Sequence, residues 1–342
     1  MKIEHFTHPK DRNGSIPGDD AMVIEPSLLF GIFDGASDAT GLLIDGRSPG
    51  LFAAETVASA ALSLARAGQL QLLPTDDIIT QLNRALSDAL MTNACNTTRR
   101  PCTTAALALP TGDGFRLIVL GDSGIRINGD EVLETPVTPD IPSTAARISL
   151  FNQLLARGRS HQDSNQICEN VLWKGMALAQ SNGIISSVLA SQMTADAVDA
   201  MYKYAVEIAG YPASNLTLDQ VRLEVEMFLQ DGIVCQPRYA NASSASILRY
   251  PILNGITVPS GAAIDRTVKL SELTSLELFS DGYGPAPDDI GISAWEANYH
   301  KMIERDPYCL DGLASTKGSS ETSFFDDRSL ICLSEFPNSA TA

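Results

Sequence analysis

The chain has 342 residues, 44% of them hydrophobic, and carries 41 acidic against 24 basic side chains for a net charge of -17. That balance argues against nucleic acid and anionic membrane as partners, because their phosphates would repel the chain; it fits cation binding, although an acidic surface commonly serves only solubility. No stretch approaches the roughly 18 apolar residues of a membrane span, and the opening MKIEHFTHPKDRNG lacks the apolar core of a secretory signal, so a cytoplasmic protein is expected.

In chain order, residues 21–34 (AMVIEPSLLFGIFD) read as two strands meeting at Glu25-Pro26-Ser27. The second is almost wholly apolar, as in a strand buried on both faces. A Gly- and Asp-rich loop follows, then a helix over 51–68 closed by Gly68. Another helix covers 74–95, with Thr75 as the expected N-cap and acids in its first turn. Residues 103–128 break into short strands with Gly-containing turns, the pattern of an antiparallel meander. Helical periodicity dominates from about 145 to 230, inside an expected helical insert at about 140–235. Strand character is expected again at 245–253, 256–261 and 273–282, followed by a helix over 293–306 and a last strand over 326–336. Strands and helices do not alternate strictly, so the expected class is α+β, antiparallel sheets with helices packed on their outer faces, within a single domain over 1–342.

The six cysteines (95, 102, 168, 235, 309, 332) form no C-x-x-C pair and no zinc-finger spacing with histidine, which points to reduced cysteines packed in a core. His5, His8, His161 and His300 are isolated and read as surface or satisfied histidines.

The acids tell more. Asp19 and Asp20 precede the first strand of that pair; Asp34, Asp122 and Asp281 end strands; Asp326 and Asp327 begin the last one. A lone Asp-Gly after a strand is an ordinary turn. Several strand ends bearing Asp can instead converge at one rim of a sandwich, where crowded carboxylates are tolerable when cations sit between them. An all-oxygen set selects Mg2+ or Mn2+ over zinc. Glycine after Asp34 and Asp281 permits a tight bend and the approach of a backbone carbonyl to a metal. Two ions so held are suited to in-line phosphate ester hydrolysis.

In this order the motifs GDDA (18–21), FGIFDGAS (30–37), CTTAALAL (102–109), LGDSGIRI (120–127), LELFSDGYG (276–284) and DDRSLICL (326–333) resemble those of the metal-dependent type 2C protein phosphatases, a bacterial branch in particular. The resemblance implies a sandwich of αββα layers with a dinuclear Mn2+/Mg2+ site at one edge. It implies that Asp34 bridges both ions, that Gly35 lends its carbonyl, and that Asp281 and Asp326 complete one metal. Asp20, with Asp19, would hold metal-bound waters, and Asp122 would bind a third, weaker ion. A bridging water would attack phosphorus in a phosphoserine or phosphothreonine protein substrate. Three positions depart from the family: Ala36 stands where it has His, Arg12 lies eight residues before Asp20 where its phosphate-gripping Arg stands nearer, and Asp327 replaces Asn. The alternatives are a weakly catalytic phospho-sensor and a phosphatase for a small phosphometabolite. Ser37 is a further weak site candidate. The insert is expected either as a lid over the site or as an ordinary helical layer.

Overall fold

The structure is a computed structural model and describes residues 1–36, 41–93, 100–211, 216–242 and 245–336. The chain divides into two compact units, one formed by Met1–Pro136, Pro251–Met302 and Thr322–Ala342, the other by Val137–Tyr250 and Ile303–Glu321.

The first unit holds two five-stranded antiparallel sheets. One has the order β1 (Lys2–His8), β10 (Arg328–Ser334), β9 (Ser275–Phe279), β6 (Gly124–Ile127), β7 (Glu131–Leu133). The other runs β2 (Ala21–Glu25), β3 (Leu29–Phe33), β4 (Ala105–Pro110), β5 (Gly114–Leu120), β8 (Ile264–Lys269). Alternation of side chains along each strand divides the apolar residues between two layers. Phe30, Ile32, Ala106 and Leu117 pack with Leu276, Leu278, Ile331 and Leu333 between the sheets. Leu29, Phe33, Leu107 and Ile118 face the other way, onto the helices α1 (Pro49–Arg66) and α2 (Thr75–Thr92). This is why β3 is buried along its whole length. On the far side of the first sheet, Trp295 of α8 (Ile292–Arg305) packs against Phe279, with ring centroids 5.0 Å apart. The class is therefore α+β with a central antiparallel β-sandwich flanked by helices, as the sequence leads one to expect.

The second unit is helical. Its core joins α3 (Asp140–Ala156), α4 (His161–Lys174), α5 (Met176–Ser181), α6 (Ser187–Lys203) and α7 (Leu218–Asp231) through Leu150, Phe151, Val171, Met193 and Phe228. Ser160, Ser186 and Thr217 cap α4, α6 and α7 through their hydroxyls, and Thr217 forms a capping box with Gln220.

Several expectations need correction. The stretch 103–128 is not a meander within one sheet: β5 and β6 belong to different sheets. The chain changes layer at Gly121, whose φ of +93° is open to glycine but costly for other residues. No strand forms at 245–253 or 256–261, where only the isolated bridges Ala240–Tyr250 and Thr103–Leu253 occur. Pro251 supplies no amide hydrogen there, and buried Asn83 on α2 takes the amides of Asn254 and Gly255 at 3.0 and 2.8 Å. Thr75 is the first helical residue rather than the N-cap, which is Pro74; its hydroxyl instead bonds Asp265 and accepts from Arg116. Cys95 and Ser37 lie outside the described residues.

Candidate active site

The ends of four strands of the first unit bring the acids together. Asp20 stands immediately before β2 and Asp34 immediately after β3, while Asp281 follows β9 and Asp326 precedes β10. Asp34 feels Asp281, Asp20 and Asp326, and its carboxyl is hydrogen-bonded to that of Asp281. Burial first, then these three negative neighbours, hold the Asp34 carboxyl well above the usual carboxylate range. A hydrogen bond between two carboxyl groups requires a shared proton.

Burial, then Asp327, push Asp20 up to about 8, while hydroxyls of Ser329 and Ser280 pull it partway back and Asp281 raises it further. Ser280 donates to Asp20 Oδ2 at 2.9 Å and accepts the Ser329 amide at 2.8 Å. Asp20 Oδ1 is buried with no hydrogen-bond partner among the described residues. The backbone of Asp34 is fixed by the residue just before β4: its amide donates to Thr104 Oγ1 at 3.4 Å and its carbonyl accepts the Thr104 amide at 2.9 Å. Thr104 Oγ1 in turn pairs with Ser123 Oγ at 2.5 Å.

The glycines after Asp34 and Asp281 serve close approach, and neither has positive φ. A Cβ on Gly35 would lie 2.3 Å from the Gly50 carbonyl and 2.5 Å from that of Asp19; one on Gly282 would lie 1.8 Å from the Asp327 carbonyl. Each thus admits the backbone of an acid from the next segment.

Asp19 sits beside the cluster in its own network. Its side chain meets Lys10 Nζ at 2.8 Å and the Ser48 hydroxyl, and its amide donates to Asp327 Oδ2 at 3.0 Å. Asp122 lies half-buried in the β5–β6 turn, next to Ser123. Arg12 is exposed, with its guanidinium stacked 4.2 Å above the Phe324 ring. Ala36 is exposed and offers no ionisable group.

Sequence reasoning passed over Lys10, Ser48, Ser280 and Ser329. Lys10 stands in the polar run HPKDRNG, where nothing distinguishes it from a surface lysine. Ser280 directly precedes Asp281 and Ser329 follows Asp327 by two residues, which is the signal that was there to use.

Among the described residues, no group of three or more His, Cys, Asp or Glu side chains is already arranged to hold a metal ion. The donor chemistry nevertheless fits a hard divalent cation: the facing groups are carboxylate oxygens, one of them buried without a hydrogen-bond partner among the described residues, and the Asp20 and Asp34 carboxyls are driven toward their protonated forms by burial first and by neighbouring carboxylates second. Among the described residues, no helix is long and apolar enough to cross a membrane.

No family model and no curated protein matches the chain. Among solved structures, a bacterial serine phosphatase matches at a TM-score of 0.44 and 14% identity, over 98% of this chain and 97% of that one. The Mycobacterium tuberculosis serine/threonine phosphatase PstP/Ppp matches at 0.43 and 13%, over 97% of each chain. The catalytic domain of PstP in complex with two manganese ions matches at 0.41 and 13%, over 97% of this chain and 96% of that one. These likenesses are too distant to carry an activity across, so the functional reading rests on this chain's own side chains. These solved structures, matched along nearly the whole length of the chain, are bacterial serine or serine/threonine phosphatases.

Proposed function

We propose that this chain is a cytoplasmic, Mn2+- or Mg2+-dependent phosphomonoesterase acting on phosphoserine or phosphothreonine in proteins. The observation that carries the reading is the approach of Asp281, Asp20 and Asp326 to Asp34, whose carboxyl is held well above the usual carboxylate range by burial and by these three neighbours. Asp34, Asp281 and Asp326 would hold the cation, with Gly35 and Asp20 beside them. Bound there, a divalent ion supplies positive charge for phosphoryl oxygens and lowers the pKa of water.

The chain's own groups do the rest. Thr104 fixes the Asp34 backbone, so the carboxyl is positioned before substrate arrives. Ser280 orients Asp20. Asp122 is proposed as the ligand of a weaker, additional ion. Arg12 is proposed to grip phosphate only if it leaves the Phe324 ring.

Replacing Asp34 or Asp281 by Ala is expected to abolish Mn2+-dependent turnover of a phosphopeptide and of an aryl phosphate; turnover at the wild-type rate contradicts the reading. The absence of an ionisable side chain at Ala36, together with the stacked Arg12, favours a second reading as a phospho-sensor. A sensor would bind Mn2+ and phosphopeptide and hydrolyse neither peptide nor aryl ester. A small phosphometabolite as the true substrate would show itself in a panel of phosphate esters.

A further inference from the structure

The acid cluster has two electrostatically different halves. Asp34 and Asp20 face other carboxylates. Asp19 and Asp327, whose side chains are only 6% and 3% exposed, meet a lysine, and Asp327 meets it while also repelling Asp20: Lys10 Nζ lies 2.8 Å from Asp19 Oδ2 and 3.3 Å from Asp327 Oδ2. The remaining oxygens of this pair are also supplied with donors. Asp19 Oδ1 accepts from Ser48, Asp327 Oδ1 accepts the Lys10 amide at 2.5 Å, and Asp327 Oδ2 accepts the Asp19 amide at 3.0 Å.

The lysine is held in this place by its backbone. The Lys10 carbonyl accepts the Phe324 amide at 2.8 Å, and the Thr322 carbonyl accepts the Arg12 amide at 3.0 Å, so the segment carrying Lys10 is paired to the one that leads into Asp326 and Asp327. Gly18 leaves the room this requires: a Cβ there would come within 2.8 Å of Asp327 Oδ1 and 3.3 Å of Pro9 Cα. A compact ammonium with three donors, seated between two nearly buried carboxylates, has the charge sign and the ligands that a bound metal ion would have.

We propose that Lys10 is a tethered cation occupying, from within the chain, the cation position of the Asp19–Asp327 pair, so that an added divalent ion enters only on the Asp34 side of the cluster. This rests on the metal-dependent reading above and departs from the two-ion arrangement that the sequence suggests. It also assigns Asp19 to the lysine rather than to a metal.

The test is the number of Mn2+ ions bound per chain, counted by calorimetry and by electron paramagnetic resonance at neutral pH, in the full-length protein. Wild type is expected to bind one fewer tight ion than Lys10→Met. Lys10→Arg, which keeps the charge, is expected to match wild type. Adding Asp19→Asn to Lys10→Met is expected to remove the extra ion. Thermal unfolding gives a second readout: Mn2+ should raise the melting temperature of Lys10→Gln more than that of wild type. Equal stoichiometry and equal melting shifts in wild type and variant overturn the proposal while leaving the metal-dependent reading intact. No Mn2+ bound by any of them overturns both. A Lys10→Met chain that stays unfolded in saturating Mn2+ also overturns the proposal, since the ion then fails to stand in for the lysine.

Discussion

Gly35 and Gly282 illustrate what single residues contribute here. The sequence shows two Asp-Gly pairs at strand ends and suggests tight bends; the structure shows close backbone contact instead, with the next acidic segment packed where a Cβ would stand. Gly35→Ala must push against two carbonyls, those of Gly50 and Asp19, and is expected to cost about 1–3 kcal/mol or more, read as a lower urea midpoint at unchanged slope. A second prediction concerns the Asp20 carboxyl. Its folded pKa of about 8 stands above the unfolded carboxylate value of about 3.9. Between those values the folded state keeps a proton that the unfolded state has lost, so stability falls as pH rises through that window and levels off above it. Chelator-treated protein should therefore unfold at lower urea at pH 8 than at pH 5, by up to about 1.4 kcal/mol per pH unit for the carboxyl, and Mn2+ should flatten the slope. Equal midpoints at the two pH values in the presence of chelator contradict this account of Asp20.

Among the elements, those with long apolar or helical periodicity were legible: β3, β9, β10 and the helices lie close to where the pattern puts them. The missed strands β1 (KIEHFTH) and β8 (IDRTVK) lie at sheet edges and carry alternating polar side chains, so no apolar run announces them. The assignment of β5 and β6 to separate sheets was also hidden, because it depends on the conformation of Gly121 rather than on periodicity. Buried polar partners were equally silent. Arg126 on β6 and Glu277 on β9 are 1% and 0% exposed and pair at 2.5 Å, with the Trp295 indole donating to Glu277 at 2.9 Å. Arg126→Met leaves a buried, uncompensated carboxylate and is expected to cost about 3–5 kcal/mol, whereas Arg126→Met with Glu277→Leu should recover much of that. Chemical denaturation of the single and double variants decides it; a double variant no more stable than Arg126→Met contradicts the ion-pair account.

At the scale of the whole chain, the sequence disclosed the α+β class and the convergence of Asp20, Asp34, Asp281 and Asp326, because each of these acids ends or begins a strand and strand ends share a rim. It did not disclose the division of charge within that rim. Which carboxylate meets Lys10 and which meets another carboxylate depends on a loop pairing between residues more than 300 positions apart. The net charge of -17 is consistent with a molecule that gains from binding cations, but only this local division says where one belongs. The claim on which the account turns is that the strand-end acids share a divalent ion. Crystals soaked in Mn2+ and measured at the manganese absorption edge test it most directly. The account predicts an anomalous peak within bonding distance of the carboxylates of Asp34, Asp281 and Asp326. A map at saturating Mn2+ with no peak at those three side chains contradicts it.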